Sequence, residues 1–123
     1  MMRAQRYNSV EWFEVATDKP DEAKRFYGEL FGWTYADRGP YSEVTTPGSG
    51  SVAGGIFDSA GEFPSYAIFY VTVEDVPATL AKAETLGAKT VVPPTTTPDG
   101  LVFAQLRDST GNHFGVFSPP LEA

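Results

Sequence analysis

Residues 10–33 read VEWFEVATDKPDEAKRFYGELFGW, and they carry the clearest indication of the fold. The first part of this stretch reads as a strand, and its second part has apolar residues at the i, i+3, i+4, i+7 and i+8 spacing of one helix face. That spacing predicts an amphipathic, half-buried helix over residues 20–31. Pro20 suits the first turn of such a helix, and Gly32 suits its end. The apolar face would consist of Ala23, Phe26, Tyr27, Leu30 and Phe31.

The second half of the chain repeats this organisation. Residues 66–89 read YAIFYVTVEDVPATLAKAETLGAK, a strand-like run followed by an acidic start and a helical pattern that ends at glycine. The pattern predicts a second helix over residues 76–86. Its inward residues would be Val76, Leu80, Ala83 and Leu86.

Three strand candidates, broken by Gly- and Pro-containing turns, follow each predicted helix. Each half therefore reads βαβββ, and the fold class is α+β. About 55 residues make a marginal core, so the two modules should share one domain. We predict a single domain over residues 7–120, with module one at about 7–58, a linker at about 58–65 and module two at about 66–118.

Composition excludes several classes of function. The 123 residues include no cysteine, which rules out disulfides, thiolate nucleophiles and cysteine zinc sites. The net charge is −7 and no Lys/Arg block is present, so we expect no nucleic-acid partner. No apolar run approaches the roughly 18 residues of a membrane span, and residues 1–12 lack the apolar core of a signal peptide. We therefore expect a cytoplasmic protein with no membrane partner.

The sequence resembles the vicinal oxygen chelate superfamily, which includes glyoxalases, bleomycin-resistance proteins and extradiol dioxygenases. The resemblance is carried by residues 12–33, 71–88 and LRDSTGNHFGVF at 106–117, and it extends from Val10 to Phe117. It implies that the two βαβββ modules form a curled, mostly antiparallel, cup-shaped sheet with the helices outside and a pocket inside. For a chain of this size it also implies a homodimer.

The resemblance further implies where a metal would be bound. Metal-using members take their ligands from the first and fourth strands of each module, usually His or Gln and Glu. In this sequence those positions are Trp12, Gly55, Ile68 and Gly115. An indole nitrogen only donates hydrogen bonds, and the other three side chains offer no donor atom to a metal. We therefore expect no metal cofactor, and the main support for glyoxalase or dioxygenase chemistry is lost.

His113 is the only histidine, and it lies two residues before Gly115, so it should share that residue's pocket-facing side. It could join Glu14 and water in a relocated metal site, contact a substrate, or sit partly exposed beside the turn. Two scattered ligands rarely hold a metal, so we expect that His113 is not a metal ligand.

Glu14 shares a face with Trp12. If both point into the pocket, desolvation would disfavour the ionised carboxylate, as in a general base or proton donor. Otherwise Glu14 lies nearer the rim, hydrogen-bonded or solvated. Glu14 and His113 are thus the candidate catalytic residues.

Further residues form a mainly aromatic and apolar set with a few polar groups. Such a set is typical of a small-molecule pocket and equally of a core. The candidate substrate-binding residues are Trp12, Tyr41, Tyr66, Ile68, Tyr70, Phe103, Gln105 and Gly115.

Four functions remain open. The first is a metal-independent protein that binds a small hydrophobic or aromatic molecule. The second is a metal-independent lyase or isomerase that uses Glu14 or His113 as acid or base. The third is a metal-dependent lyase or dioxygenase with relocated ligands, and the fourth is an interaction module.

Overall fold

The computed structural model describes residues 7–120. Residues 1–6, on which part of the signal-peptide interpretation rests, lie outside the described residues. The elements in chain order are β1 (Ser9–Thr17), α1 (Pro20–Phe31), β2 (Thr34–Arg38), β3 (Tyr41–Thr45), β4 (Val52–Asp58), β5 (Tyr66–Thr72), α2 (Val76–Thr85), β6 (Lys89–Thr96), β7 (Val102–Arg107) and β8 (His113–Ser118). This order is βαβββ twice, which confirms the predicted α+β fold class.

Within the described range the chain divides into two compact units, residues 12–68 and residues 69–120 together with 7–11. In the first unit β2, β3 and β4 form an antiparallel meander, and β4 pairs in parallel with β1. In the second unit β6, β7 and β8 form the same meander, and β8 pairs in parallel with β5. The repeat seen in the sequence is therefore a repeat of topology. That the two units make one domain stays a prediction.

Local chemistry sets the helix ends. The first turn of α1 contains Pro20, and α1 ends where Gly32 adopts a φ of 76° and donates its N–H to the Gly28 carbonyl over 2.8 Å. At the start of α2, the Asp75 carboxylate accepts the Ala78 N–H over 2.9 Å. This is an N-cap, which satisfies one of the otherwise unpaired amides of the first turn.

The two helices differ in burial. The α2 helix buries Val76 and Leu80 in a core with Ala104, Leu106 and Val116. The prediction that Leu86 faces inward on this helix is wrong, because α2 ends at Thr85 and Leu86 is 68% exposed.

The α1 helix forms where it was predicted, and Ala23 and Tyr27 of its predicted apolar face are half-buried. The other three residues of that face, Phe26, Leu30 and Phe31, are more than half exposed, and no residue of α1 is fully buried. The core of its unit comes from the strands instead, from Ala16, Val44 and Ile56. Neither helix in residues 7–120 is long and apolar enough to cross a membrane.

Candidate functional site

Glu14 lies on β1, on the same strand face as Trp12, as the two-residue period requires. Only 8% of the Glu14 surface is exposed. It is therefore a carboxylate withdrawn from water, and its polar partners decide what it can do.

Two tyrosines bind the Glu14 carboxylate. The Tyr41 hydroxyl donates to Oε1 over 3.0 Å, and the Tyr66 hydroxyl donates to Oε2 over 2.5 Å. Trp12 Nε1 in turn donates to the Tyr41 hydroxyl over 2.9 Å. Trp12, Glu14, Tyr41 and Tyr66, four of the candidates proposed from sequence, thus form one hydrogen-bonded network inside the unit of residues 12–68.

Two effects oppose each other at Glu14. Burial disfavours a charged carboxylate, whereas hydrogen bonds donated to each oxygen favour it. Hydrogen bonds to an ionised group are roughly twice as strong as those between neutral groups. The sequence left two alternatives open for Glu14, a desolvated carboxylate in the pocket and a hydrogen-bonded or solvated one nearer the rim. In the structure Glu14 is both buried and hydrogen-bonded.

Gly55 explains how Tyr41 reaches this position. Gly55 pairs with Glu14 across β4 and β1, and a Cβ atom at Gly55 would lie 2.0 Å from Tyr41 Cε1 and 2.4 Å from its hydroxyl. The absence of a side chain at Gly55 therefore makes room for the Tyr41 ring.

An arc of aromatic rings connects the two tyrosines. Ring centroids lie 6.1 Å apart for Tyr41 and Phe57, 6.2 Å for Phe57 and Phe63, and 5.8 Å for Phe63 and Tyr66. The last two pairs are nearly parallel, and Phe63 is 37% exposed. We name Tyr41, Phe57, Phe63 and Tyr66 the aromatic arc, and both of its ends donate to Glu14.

Sequence reasoning missed two members of the aromatic arc. Phe57 had a usable signal, because it lies two residues after Gly55 on β4 and so shares its face. Phe63 had none, since it lies in the turn-rich segment that the sequence presents only as a linker.

The second unit contains a further hydrogen-bonded network. His113 Nε2 lies 2.9 Å from Gln105 Oε1, and Gln105 Nε2 donates to the Tyr70 hydroxyl over 2.8 Å. Because an amide oxygen only accepts, this arrangement places the histidine proton on Nε2. The Tyr70 ring covers Gly115, where a Cβ atom would lie 2.6 Å from it.

Burial lowers the pKa of His113 below its ordinary value of 6.5, and the positive charge of Arg107 lowers it further. Arg107 lies directly opposite His113 in the β7–β8 pair. The imidazole is therefore mostly neutral at pH 7, and in this state it can serve as a hydrogen-bond partner or a base.

The remaining two candidates are apolar. Ile68 is buried on β5, and Phe103 is half-buried on β7 opposite Phe117 of β8. Both side chains can form part of the apolar wall of a ligand pocket, and neither has a group that transfers protons.

An open cavity of about 1110 Å³ lies elsewhere in the unit of residues 12–68. Its lining comes from α1, from the end of β1 and from residues 65–67. Among the Glu14 network only Tyr66 belongs to that lining. This opening thus lies on the side of α1, whereas the polar side chains lie in the Glu14 network.

Comparison with known proteins places this arrangement in a family. The profile of the Glyoxalase/Bleomycin resistance protein/Dioxygenase superfamily matches residues 9–116. This chain belongs to the glyoxalase/bleomycin resistance protein/dioxygenase superfamily. Membership confirms the resemblance drawn from the sequence motifs.

Curated relatives of this superfamily member include CFP32 of Mycobacterium bovis and of Mycobacterium tuberculosis, a protein provisionally named a glyoxylase. Each is 33% identical over 112 residues, which are 88% of this chain and 43% of the relative. The chain therefore spans less than half the length of these relatives.

Solved structures share the fold at low sequence identity. The Mn(II)-bound glyoxalase from Novosphingobium aromaticivorans aligns with a TM-score of 0.64 at 16% identity, over 96% of this chain and 42% of that one. Methylmalonyl-CoA epimerase from Mycobacterium tuberculosis aligns with a TM-score of 0.64 at 13% identity, over 98% of this chain and 94% of that one. These likenesses confirm the fold.

The residues at the four positions where the resemblance places metal ligands do not fit a metal ion. At the four expected positions, Trp12 donates its N–H to Tyr41, Ile68 is aliphatic, and aromatic rings cover Gly55 and Gly115. Within residues 7–120 no group of three or more His, Cys, Asp or Glu side chains could hold an ion.

Proposed function

We propose that this superfamily member binds a small hydrophobic or aromatic molecule beside Glu14, without a metal. The observation that carries the proposal is the buried Glu14 carboxylate, with a phenol on each oxygen and the aromatic arc between those phenols. Ligand sites typically combine mostly apolar walls with a few well-placed polar groups.

Stability alone is a poor reason to keep this arrangement. A buried charge costs free energy, and well-packed apolar residues are often as stabilising as a buried ionic group. A carboxylate among aromatic rings is more useful for recognition, because a ligand with a planar apolar body and an N–H or O–H donor satisfies both features. We therefore propose aromatic amines and phenols as the ligand class.

Phe63 supports a preference for aromatic ligands. It is partly exposed and stacks on both Phe57 and Tyr66, so a planar ligand can extend the same stack. Offset stacking contributes about 0.5–1.5 kcal/mol beyond the burial of surface. Removal of the Phe63 ring should lower the affinity for aromatic ligands more than the affinity for aliphatic ones.

The test is isothermal titration of small aromatic amines and phenols, with aliphatic amines of equal size for comparison. Wild-type protein should bind one or more aromatic members saturably. Glu14→Gln should weaken binding at least tenfold, or about 1.4 kcal/mol. The matched control Glu62→Gln changes an exposed carboxylate next to Phe63 and should leave affinity unchanged. Equal affinity in the Glu14 and Glu62 variants would contradict the proposal.

A second candidate is a metal-independent isomerase or lyase step. It is favoured by the buried position of Glu14 and by the Tyr66 hydroxyl that donates to its Oε2, because a carboxylate held in place by a phenol can serve as an acid or base. Glu14 would accept a proton from a carbon beside a carbonyl as the C–H bond breaks, and would return a solvent proton when it forms again. His113, mostly neutral, is the alternative base.

NMR of small carbonyl compounds in D₂O tests this candidate. Deuterium should enter the carbon beside the carbonyl with wild-type protein, and the rate should fall at least a hundredfold in Glu14→Gln. An unchanged rate in that variant removes Glu14 from the mechanism, and the same comparison with His113→Gln assigns or removes His113.

Three further expectations from the sequence stay predictions: a single domain, a homodimer and a cytoplasmic location. Gel filtration with light scattering measures the second. The chain brings no cluster of basic residues, so nucleic acid remains an unexpected partner.

A further inference from the structure

Three basic residues form a row across neighbouring strands of the second unit. Lys89 of β6 lies directly opposite Arg107 of β7, and Arg107 lies directly opposite His113 of β8. Residues directly opposite each other in antiparallel strands share a face of the sheet, with Cβ atoms about 4.5–5.5 Å apart. The three side chains therefore stand side by side, and we name Lys89, Arg107 and His113 the basic row.

The charges of the basic row lack a carboxylate partner within residues 7–120. Like charges directly opposite each other in a sheet are destabilising, yet neither Lys89 nor Arg107 makes an ion pair there. The carboxylate of Asp108, the next residue after Arg107, instead accepts hydrogen bonds from Thr110 and Asn112. In a chain with a net charge of −7, the basic row is thus a place where positive charge remains for an anion.

The same face of the sheet changes from charged to aromatic along the strands. Two residues before Arg107, Gln105 lies opposite Gly115, and two residues before that, Phe103 lies opposite Phe117. Both phenylalanine rings are half-buried. At about 3.3 Å per residue, the four-residue step from Arg107 to Phe103 covers about 13 Å. This face therefore has a positive end and an apolar end.

A buried hydroxyl lies at the apolar end. Thr72 of β5 is the partner of Phe117 in the β5–β8 pair and, two residues after Tyr70, shares the strand face of Tyr70. Thr72 is 4% exposed, and its Oγ1 has no hydrogen-bond partner in the part of the chain that the structure describes. Buried polar groups without a hydrogen bond are uncommon, because they lose water without compensation. The Thr72 hydroxyl therefore indicates a point where a ligand atom can supply the missing bond.

The chemistry of the two ends selects the ligand. A guanidinium can bind a carboxylate through two parallel hydrogen bonds, and Arg107 is at the centre of the basic row. Its Nη1 donates to the Gly111 carbonyl over 3.1 Å, which uses one donor of a group that has several. Phosphate groups are typically held by backbone N–H groups at helix N-termini or in glycine-rich loops, whereas the basic row consists of strand side chains. A carboxylate with an aromatic body fits both ends.

We propose that this face of the second unit binds an arylalkyl carboxylate. Arg107 and Lys89 hold the carboxylate, Phe103 and Phe117 pack against the ring, and the Thr72 hydroxyl donates to an acceptor on the far side of the ring. The proposal goes beyond the ligand site at Glu14, because none of these residues belongs to the Glu14 network. The two sites also differ in the ligand charge that they accept, since the Glu14 carboxylate repels an anion.

Isothermal titration with 3-phenylpropanoate tests the proposal, and 3-phenylpropanamide is the neutral analogue of the same shape. Wild-type protein should bind the acid saturably and at least tenfold more tightly than the amide. Arg107→Gln should lower the affinity for the acid at least tenfold, and Lys89→Gln at least threefold. The matched control Lys82→Gln removes an exposed charge from α2, which packs against the opposite face of the sheet, and should leave the affinity unchanged. Circular dichroism confirms that each variant is folded.

The single histidine reports where the acid binds. In NMR of the untagged chain the His113 imidazole gives one ring signal, which should shift in proportion to the bound 3-phenylpropanoate. A 4-methoxy group on the ring should raise the affinity of wild-type protein more than a 4-methyl group does, and Thr72→Val should abolish that difference. Equal affinities of the two compounds in wild-type protein would remove Thr72 from the site.

Three outcomes would overturn the proposal. The first is no saturable binding of the acid up to about 10 mM, and the second is an affinity that Arg107→Gln leaves unchanged. The third is displacement of the acid by an equal concentration of inorganic phosphate, which would indicate a general anion site. Glu14→Gln should leave the affinity for the acid unchanged, so failure at this face and failure at the Glu14 site are distinguishable.

Discussion

Replacement of Gly55 by alanine tests whether the Tyr41 ring needs the space above this glycine. The new Cβ atom would lie 2.0 Å from Tyr41 Cε1 and 2.2 Å from Cζ, far inside contact distance. The Tyr41 ring must therefore move, and it then loses its hydrogen bonds to Glu14 and from Trp12. A neutral hydrogen bond contributes about 1 kcal/mol and one to a charged group about 1.5–3.

We expect the free energy of unfolding to fall by about 2–4 kcal/mol in Gly55→Ala, from these lost bonds. Urea denaturation followed by circular dichroism gives the value, and Trp12 fluorescence should change because its indole N–H loses its acceptor. Gly48→Ala is the matched control, since nothing lies within 4 Å of its Cβ position. This control should alter the free energy of unfolding by no more than about 0.5 kcal/mol.

A double-mutant cycle isolates the cause. Tyr41→Ala removes the ring, so Gly55→Ala added to that variant should cost about 0.5 kcal/mol or less. If Gly55→Ala lowers the free energy of unfolding equally with and without the Tyr41 ring, Gly55 is required for its backbone conformation rather than for the space above it.

Four further outcomes follow from the structure. Tyr66→Phe should lower the free energy of unfolding by about 1–3 kcal/mol in urea denaturation, and by less when Glu14→Gln has already removed the charged acceptor. Folding lowers the pKa of His113 below 6.5. The free energy of unfolding should therefore keep its full value above about pH 6.5 and should decrease as the pH falls below it. His113→Gln should remove this pH dependence. The backbone N–H of Asn112 and donors from Thr110 lower the pKa of Asp108 to about 2. The contribution of Asp108 to the free energy of unfolding should therefore be present above about pH 4 and should be lost as the pH falls towards 2. An acid titration of Asp108→Ala should lack this loss. Asp75→Ala should lower the free energy of unfolding in urea by about 1 kcal/mol, because α2 loses its N-cap.

Much of the backbone could be predicted from the sequence. Helix α1 begins at Pro20 and ends at Phe31 as its spacing indicates, and the end of α2 differs by one residue. These predictions succeed because period and end signals are local. The burial of α1 could not be predicted, since spacing shows that a helix has an apolar face and leaves open what covers it.

The candidate site was predicted in part for the same reason. The two-residue period places Trp12 and Glu14 on one face, because the period belongs to the strand itself. The two phenols on Glu14 depend on strand register and on the rotamers of residues 27 and 52 positions away in the chain. Phe63 completes the aromatic arc from a segment with no regular period, so no sequence pattern pointed to it.

Ligand binding beside Glu14 can be measured directly with Trp12 as the fluorescent reporter. Trp33 packs among Phe13, Tyr27 and Phe31, so Trp33→Phe leaves Trp12 as the only indole and keeps a ring in that cluster. Titration of this variant with the aromatic amines and phenols should give a saturable change in Trp12 fluorescence that Glu14→Gln weakens at least tenfold. If no member gives a saturable change, aromatic amines and phenols do not bind beside Glu14.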